Sequence, residues 1–105
     1  STLTMFRIIW RYQVAAAQQP VFESTYGSSG AWEKLFAQSG AFLGTDLFKS
    51  VQADFLSYIV IDQWKSREDY VNFLLLQADA YQQLSEQCKK YYKAEERLGE
   101  FLSQP

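Results

Sequence analysis

The chain has 105 residues, a length that makes one domain, spanning 1–105, with a single modest core. A hydrophobic fraction of 48% and a charged fraction of 21% exclude intrinsic disorder, and a net charge of -2 without a basic stripe excludes a nucleic-acid partner. The chain contains no histidine, yet it has three Trp, seven Tyr and eight Phe. It therefore lacks the commonest general base and metal ligand but has the material for an aromatic pocket.

The single cysteine, Cys88, cannot form an internal disulfide and lies within a helical pattern. We expect it to be a core or interface thiol rather than a reactive one. The sequence has no apolar run long enough to cross a bilayer and no signal-like leader. These features predict a cytoplasmic protein without a membrane partner.

The first predicted element is a strand over Leu3 to Val14, in which large apolar side chains alternate with arginines and other residues: Phe6, Ile8, Trp10 and Tyr12. A short helix follows over residues 15–27, with Pro20 in its first turn and Gly27 at its end. A second helical stretch begins after Gly30 and ends at Gly40, with three apolar side chains on one face: Trp32, Leu35 and Phe36.

Two strands rich in β-branched and aromatic residues come next, Ala41 to Val51 and Phe55 to Trp64, and form a hairpin across residues 52–54. Ser66 precedes Asp69 by three residues, which predicts the capped start of a helix. Apolar residues at three- and four-residue steps predict that this helix continues to about Tyr92. Residues 95–102 predict a final short strand interrupted by a glycine.

The predicted order is strand, helix, strand, strand, helix, strand. It indicates an α+β, ferredoxin-like βαββαβ fold with the helices on one face of an antiparallel sheet. The predicted third strand is apolar on both sides, since Phe55, Ile59 and Ile61 alternate with Tyr58, Val60 and Trp64. We therefore expect a homodimer through the open sheet face, the alternative being a half-exposed apolar patch.

Several segments resemble the antibiotic biosynthesis monooxygenase family of the dimeric α+β barrel superfamily. They are GAWEKLF at Gly30 to Phe36, LGTDLF at Leu43 to Phe48, YIVIDQWKS at Tyr58 to Ser66, Tyr70 with Phe73, and EERLGEF at Glu95 to Phe101. The resemblance covers nearly the whole chain and implies a dimeric α+β barrel. It implies less about activity, because the family includes cofactor-independent oxygenases of polycyclic phenols, quinol oxygenases, haem-degrading enzymes and proteins with no known reaction.

The missing histidine separates branches of that family. The haem-degrading members hold iron through a histidine on the helix after the third strand, where this sequence has Leu74, ten residues after Trp64. Scattered acids without imidazole or thiolate partners specify no metal site, and serine or cysteine nucleophiles have no histidine base. We therefore expect no metal and no cofactor.

The predicted pocket for a small aromatic ligand lies between sheet and helices and is lined by aromatic residues: Trp10, Trp32, Phe36, Tyr58, Trp64 and Phe73. Plain core packing is the alternative for each of them. Tyr58 and Tyr26 are candidates to exchange protons with a phenolic substrate, Asp62 is a candidate acid or base, and Arg7, with Arg11, is a candidate to stabilise a phenolate.

Two functions remain open at this point. One is a small cofactor-independent monooxygenase that acts on a phenol or quinol in the aromatic pocket. The other is a non-catalytic dimer of the same fold that binds a small hydrophobic molecule or regulates a partner. This function implies an aromatic pocket in which no titratable group has a perturbed pKa.

Overall fold

A four-stranded antiparallel sheet forms the centre of the protein. The computed structural model describes residues 5–52 and 56–105. Strands β1 (Phe6–Gln13), β2 (Phe42–Lys49), β3 (Ser57–Trp64) and β4 (Ala94–Leu102) lie in the order β2-β3-β1-β4, and each neighbouring pair is antiparallel. This is the predicted α+β, ferredoxin-like arrangement.

The predicted hairpin is confirmed by the pairing of β2 with β3, although both strands are shorter than the sequence pattern indicated. The first strand is also shorter than predicted, since β1 begins at Phe6 and ends at Gln13. Leu3, at the start of the predicted first strand, and Phe55, at the start of the predicted third, lie outside the described residues.

The glycine-interrupted last strand is confirmed as β4. The register between β1 and β4 shifts after Ile9, which pairs with Gly99, because Trp10 pairs with Arg97 rather than with Leu98. Gly99 has a φ of 145°, a backbone conformation that side-chain-bearing residues rarely adopt. The glycine therefore permits a bulge that places one extra residue in β4.

Two short helices cross the sheet after β1. A 3₁₀ turn at Ala16–Gln18 leads into α1 (Gln19–Tyr26), which has Pro20 in its first turn, and α2 spans Ala31–Phe36. The predicted face of α2 is correct, since Trp32, Leu35 and Phe36 are all buried. The helix ends at Phe36 rather than at Gly40, because Gln38 and Ser39 already make turn hydrogen bonds to Leu35 and Phe36.

The predicted helix start at Ser66 is confirmed. The Asp69 amide donates a 3.1 Å hydrogen bond to Ser66 Oγ, and Ser66 Oγ donates in turn to Asp69 Oδ2 at 2.8 Å. These contacts satisfy an amide that the first helical turn leaves without an intrahelical partner.

The prediction of one long helix up to Tyr92 is wrong. The segment forms α3 (Arg67–Leu76) and α4 (Ala78–Cys88), followed by a 3₁₀ turn at Lys89–Tyr91. Gln77 leaves the helical region, with φ -115° and ψ 28°. The break redirects α4 toward α2, where the Tyr81 ring packs edge-on against Trp32 at 5.1 Å. This tertiary contact overrides the continuous periodicity of the sequence. No helix in residues 5–52 and 56–105 is long and apolar enough to span a bilayer.

The two faces of the sheet differ sharply. Even-numbered side chains of β1 and β3 point toward the helices and form the core: Phe6, Ile8, Tyr12, Tyr58, Val60 and Trp64 are buried. The opposite face carries half-buried Ile9, Ile59 and Ile61, and exposed Phe48 and Phe101. This second face is apolar, and no element of the described chain covers it.

Candidate functional site

A cavity of about 250 Å³ lies between the helix-facing side of the sheet and helices α1, α2 and α4. Six aromatic side chains form most of its wall: Trp10, Tyr12, Tyr26, Trp32, Phe36 and Tyr81. Val60, Asp62, Ser85 and Glu95 complete it. A cavity of roughly 150 Å³ accommodates benzene, so this one has room for a small aromatic molecule.

Trp10 and Tyr12 are stacked at 28°, whereas the other neighbouring rings of the wall are inclined to one another. Tyr12 and Tyr26 have centroids 5.0 Å apart at 55°, Tyr26 and Trp32 are 6.1 Å apart at 42°, and Trp32 and Tyr81 are 5.1 Å apart at 64°. Successive tilts of this size make a concave surface, which can contact a flat ligand on more than one side.

Asp62 is a buried carboxyl group on the cavity wall. Its Oδ1 accepts a 2.8 Å hydrogen bond from the Thr45 hydroxyl on the neighbouring strand, and only 6% of the residue is exposed. Burial raises the pKa of Asp62 from its ordinary 3.8 to about 7, while the Thr45 hydrogen bond lowers that pKa by a smaller amount. The group is therefore poised to gain or lose a proton near neutral pH.

The tyrosines of the wall are held in the protonated state. Burial raises the pKa of Tyr12, Tyr26 and Tyr81 above the ordinary value of 10. Their hydroxyl groups consequently remain hydrogen-bond donors at neutral pH. The Tyr12 hydroxyl donates a 2.7 Å hydrogen bond to Glu95 Oε2, and since Glu95 is exposed, this pair marks the rim of the cavity.

Trp32 belongs to the wall, whereas Cys88 does not line the cavity. The Trp32 indole Nε1 is buried and has no hydrogen-bond partner among the residues that the structure describes. Cys88 is 1% exposed, and burial raises the pKa of its thiol. The sulfur is therefore a neutral core group, in agreement with the expectation of a buried thiol.

Comparison with known proteins gives a fold but no close relative. No protein-family model matches the chain, and no curated protein matches it either. Among solved structures, a variant of SnoaB, a cofactor-independent oxygenase from Streptomyces nogalater, superposes with a TM-score of 0.70 at 18% identity, covering 96% of this chain and 94% of that chain. A Bordetella bronchiseptica protein with the provisional name antibiotic biosynthesis monooxygenase has a TM-score of 0.69 at 18% identity, with 96% of each chain covered.

A third structure, from Nitrosomonas europaea and with the same provisional name, has a TM-score of 0.67 at 11% identity, covering 96% of this chain and 89% of that chain. The chain shares the α+β fold of these three structures. The resemblance found in the sequence is thereby confirmed at the level of the fold, since identities this low carry no further information about activity.

Three of the six predicted pocket residues line the cavity, namely Trp10, Trp32 and Phe36. Trp64 and Phe73 instead pack against each other at 5.1 Å, deeper in the core. The Tyr58 ring packs against Phe22 at 4.8 Å under α1, and its hydroxyl donates to Glu23. The structure therefore places Tyr58, Trp64 and Phe73 away from the cavity wall.

The predicted proton-transfer and charge-stabilising residues also divide into two groups. Tyr26 and Asp62 lie on the cavity wall. Arg7 and Arg11 occupy odd positions of β1, on the sheet face that points away from the helices, and Arg11 is paired with Glu96. Neither arginine can reach a ligand in this cavity, because the sheet separates both side chains from it.

Sequence reasoning missed Tyr12, Tyr81, Ser85 and Glu95 as wall residues. Two signals could have found the tyrosines: Tyr12 alternates onto the same strand face as Trp10, and Tyr81 belongs to the apolar stripe of its helix. Glu95 had no such signal, because only the register of β4 against β1 places it opposite Tyr12.

Proposed function

We propose that this protein is a cofactor-independent monooxygenase that oxidises a phenol or quinol in the aromatic cavity. The observation that carries the proposal is the position of Asp62, a buried carboxyl with a pKa of about 7 on an otherwise largely aromatic wall. The likeness of the fold to SnoaB, a cofactor-independent oxygenase, supports the same function by analogy.

The chemistry needs a base and a set of hydrogen-bond donors. Asp62 in its ionised form accepts the proton of a substrate hydroxyl, and the resulting phenolate is electron-rich enough to react with dioxygen. Tyr26 and Tyr81, which stay protonated, can donate hydrogen bonds to the developing charge in a site of low dielectric constant.

The reaction balances without an added reductant. A phenol and one dioxygen give a quinone and one water. One oxygen atom enters the ring, and the substrate also supplies the two electrons that reduce the other oxygen atom to water. For a quinol the corresponding products are a hydroxyquinone and water. The proton held by Asp62 leaves with the second oxygen atom as water, and this step restores the carboxylate.

The alternative function, a non-catalytic binding protein, is less well supported. It requires an aromatic pocket without a titratable group of perturbed pKa, whereas Asp62 is such a group. This comparison favours the oxygenase.

We also propose that the protein is a homodimer in the cytoplasm. The uncovered sheet face carries Ile9 opposite Ile61 in register, and Phe48 and Phe101 lie 55% and 46% exposed. A second copy packed against this face would remove that apolar surface from water. The lone buried Cys88 is compatible with a reducing compartment.

An oxygen electrode tests the proposed activity with a panel of one- to three-ring phenols and quinols and with no added metal or flavin. We expect oxygen uptake with at least one compound that binds, and a loss of about 100-fold or more in Asp62→Asn, since a general base contributes roughly that factor. Asp46→Asn is the matched control, because Asp46 is exposed on the adjacent strand and hydrogen-bonds only Gln63 among the described side chains. Tight binding without uptake would refute the proposal.

A further inference from the structure

The charged residues on the cavity wall have one sign. Its wall carries two acidic residues, Asp62 and Glu95, and none of the described residues that line it is a lysine or an arginine. The two arginines of β1 are separated from the cavity by the sheet. Arg97 lies near this region, but it is not a wall residue: its guanidinium rests on the Trp10 ring and bonds Glu100 at 3.0 Å, a carboxylate that it shares with Arg67.

The aromatic side chains of the wall add to its negative electrostatic character. The face of an aromatic ring carries partial negative charge and attracts cations within about 6 Å of its centroid. Trp10 already holds the Arg97 guanidinium carbon 5.7 Å from its centroid, which shows this attraction within the protein itself. Five further rings surround the cavity: Tyr12, Tyr26, Trp32, Phe36 and Tyr81.

The two acids also differ in depth. Asp62 lies inside, with Oδ1 bonded to Thr45, and no described residue donates a hydrogen bond to its Oδ2. Glu95 lies at the rim, where the Tyr12 hydroxyl fixes its orientation. A ligand that reaches from the interior to the rim therefore meets a buried acceptor at one end and an exposed carboxylate at the other.

We propose that the cavity selects a phenol or quinol that carries a positively charged amine, with the hydroxyl at Asp62 and the ammonium group between Glu95 and the aromatic rings. This inference rests on the proposed function, because it names the substrate class of the same site. It also implies that aromatic carboxylic acids bind weakly, since an anion would meet like charge at the rim and no cation among the described wall residues.

Three probes of nearly equal shape test the selection. They are tyramine, the neutral 4-propylphenol and the anionic 3-(4-hydroxyphenyl)propionate. Binding can be followed by calorimetry, or by the fluorescence of Trp10 and Trp32 on the cavity wall. We expect tyramine to bind about tenfold more tightly than 4-propylphenol, a factor typical of a cation-π site with a nearby carboxylate, and the propionate to bind most weakly.

The variant Glu95→Gln should abolish most of the preference for tyramine over 4-propylphenol, measured as the ratio of the two affinities. Glu96→Gln is the matched control, because the adjacent Glu96 is paired with Arg11 on the other face of the sheet. Equal affinities of tyramine and 4-propylphenol, or a preference that survives Glu95→Gln, would overturn the inference.

Oxygen uptake separates this inference from the proposed function. Uptake with neutral phenols and no preference for the cation would leave the oxygenase standing and refute the amine selectivity. A preference for tyramine that depends on Glu95, without uptake of oxygen from any bound compound, would refute the oxygenase and leave the binding selectivity standing.

Discussion

Thr45 Oγ1 donates a 2.8 Å hydrogen bond to Oδ1 of Asp62, its register partner across strands β2 and β3. The bond stabilises the ionised carboxylate, while burial among aromatic side chains destabilises it. Burial has the larger effect, so the pKa of Asp62 is raised to about 7 rather than lowered. The balance between these two effects sets the pH at which the proposed base works.

Replacement of Thr45 by the isosteric valine should raise the pKa of Asp62 further. A hydrogen bond to a charged group contributes on the order of 1.5 to 3 kcal/mol, which corresponds to about one to two pKa units. The rising limb of the pH profile of oxygen uptake should therefore move to higher pH by that amount in Thr45→Val. Thr25→Val is the control, since the Thr25 hydroxyl donates to the Val21 carbonyl on α1. An unchanged limb would show that Asp62 is not the group that titrates.

Asp62 should make the protein less stable as the pH rises from about 4 to about 7. In this range the folded protein retains a proton on Asp62 that the unfolded chain has released, so the free energy of unfolding falls with pH and levels off above about pH 7. The full effect amounts to at most about 4 kcal/mol.

Urea unfolding of the wild type and of Asp62→Asn at pH 4 and pH 8 measures this contribution. The asparagine variant should gain stability relative to the wild type at pH 8, because it has no charge to bury. Asp46→Asn should show no such gain, since Asp46 is exposed. If the difference in the free energy of unfolding between wild type and Asp62→Asn does not change with pH, Asp62 has the ordinary pKa of an aspartate.

Filling the cavity should block ligand binding without unfolding the protein. Ser85 lies on the cavity wall and is only half-buried, so a phenylalanine there can enter the open space without displacing the core. Ser85→Phe should lower the affinity for phenols at least tenfold and leave the thermal midpoint within a few degrees. Gln83→Phe, on the exposed side of the same helix, is the control. Undiminished binding to Ser85→Phe would place the ligand site elsewhere.

The open sheet face should hold two copies of the chain together. Ile61 lies in register with Ile9 at the centre of that face, so Ile61→Lys would place a charge in an apolar interface. Sedimentation should show a dimer for the wild type at micromolar concentration and a folded monomer for this variant. Leu76→Lys, at an 83% exposed position on α3, should remain dimeric. A monomeric wild-type protein would contradict the proposed assembly.

Local patterns in the sequence were sufficient to predict most of the architecture. The alternation of β1 and β3, the Ser66 cap and the glycine in β4 each act over a few residues, and each was predicted correctly. The break at Gln77 was not, because its cause is the contact of Tyr81 with Trp32, which are far apart in the chain.

The site was predictable only in part for the same reason. Trp10, Trp32 and Asp62 follow from strand and helix faces, whereas the position of Glu95 depends on the register of the last strand. Tyr58 shares a sheet face with Trp10, yet α1 covers it and Glu23 accepts its hydroxyl. The raised pKa of Asp62 depends on how many groups bury it, a quantity that no short sequence pattern contains.

Isotope labelling tests the central claim most directly. A phenol or quinol that binds the cavity is incubated with the protein under ¹⁸O₂, without metal or flavin, and the product is analysed by mass spectrometry. We predict that one ¹⁸O atom enters the product per dioxygen consumed, that the other is found in water, and that Asp62→Asn loses this incorporation while Asp46→Asn retains it. A bound compound recovered without ¹⁸O would contradict the assignment of this cavity as a monooxygenase site.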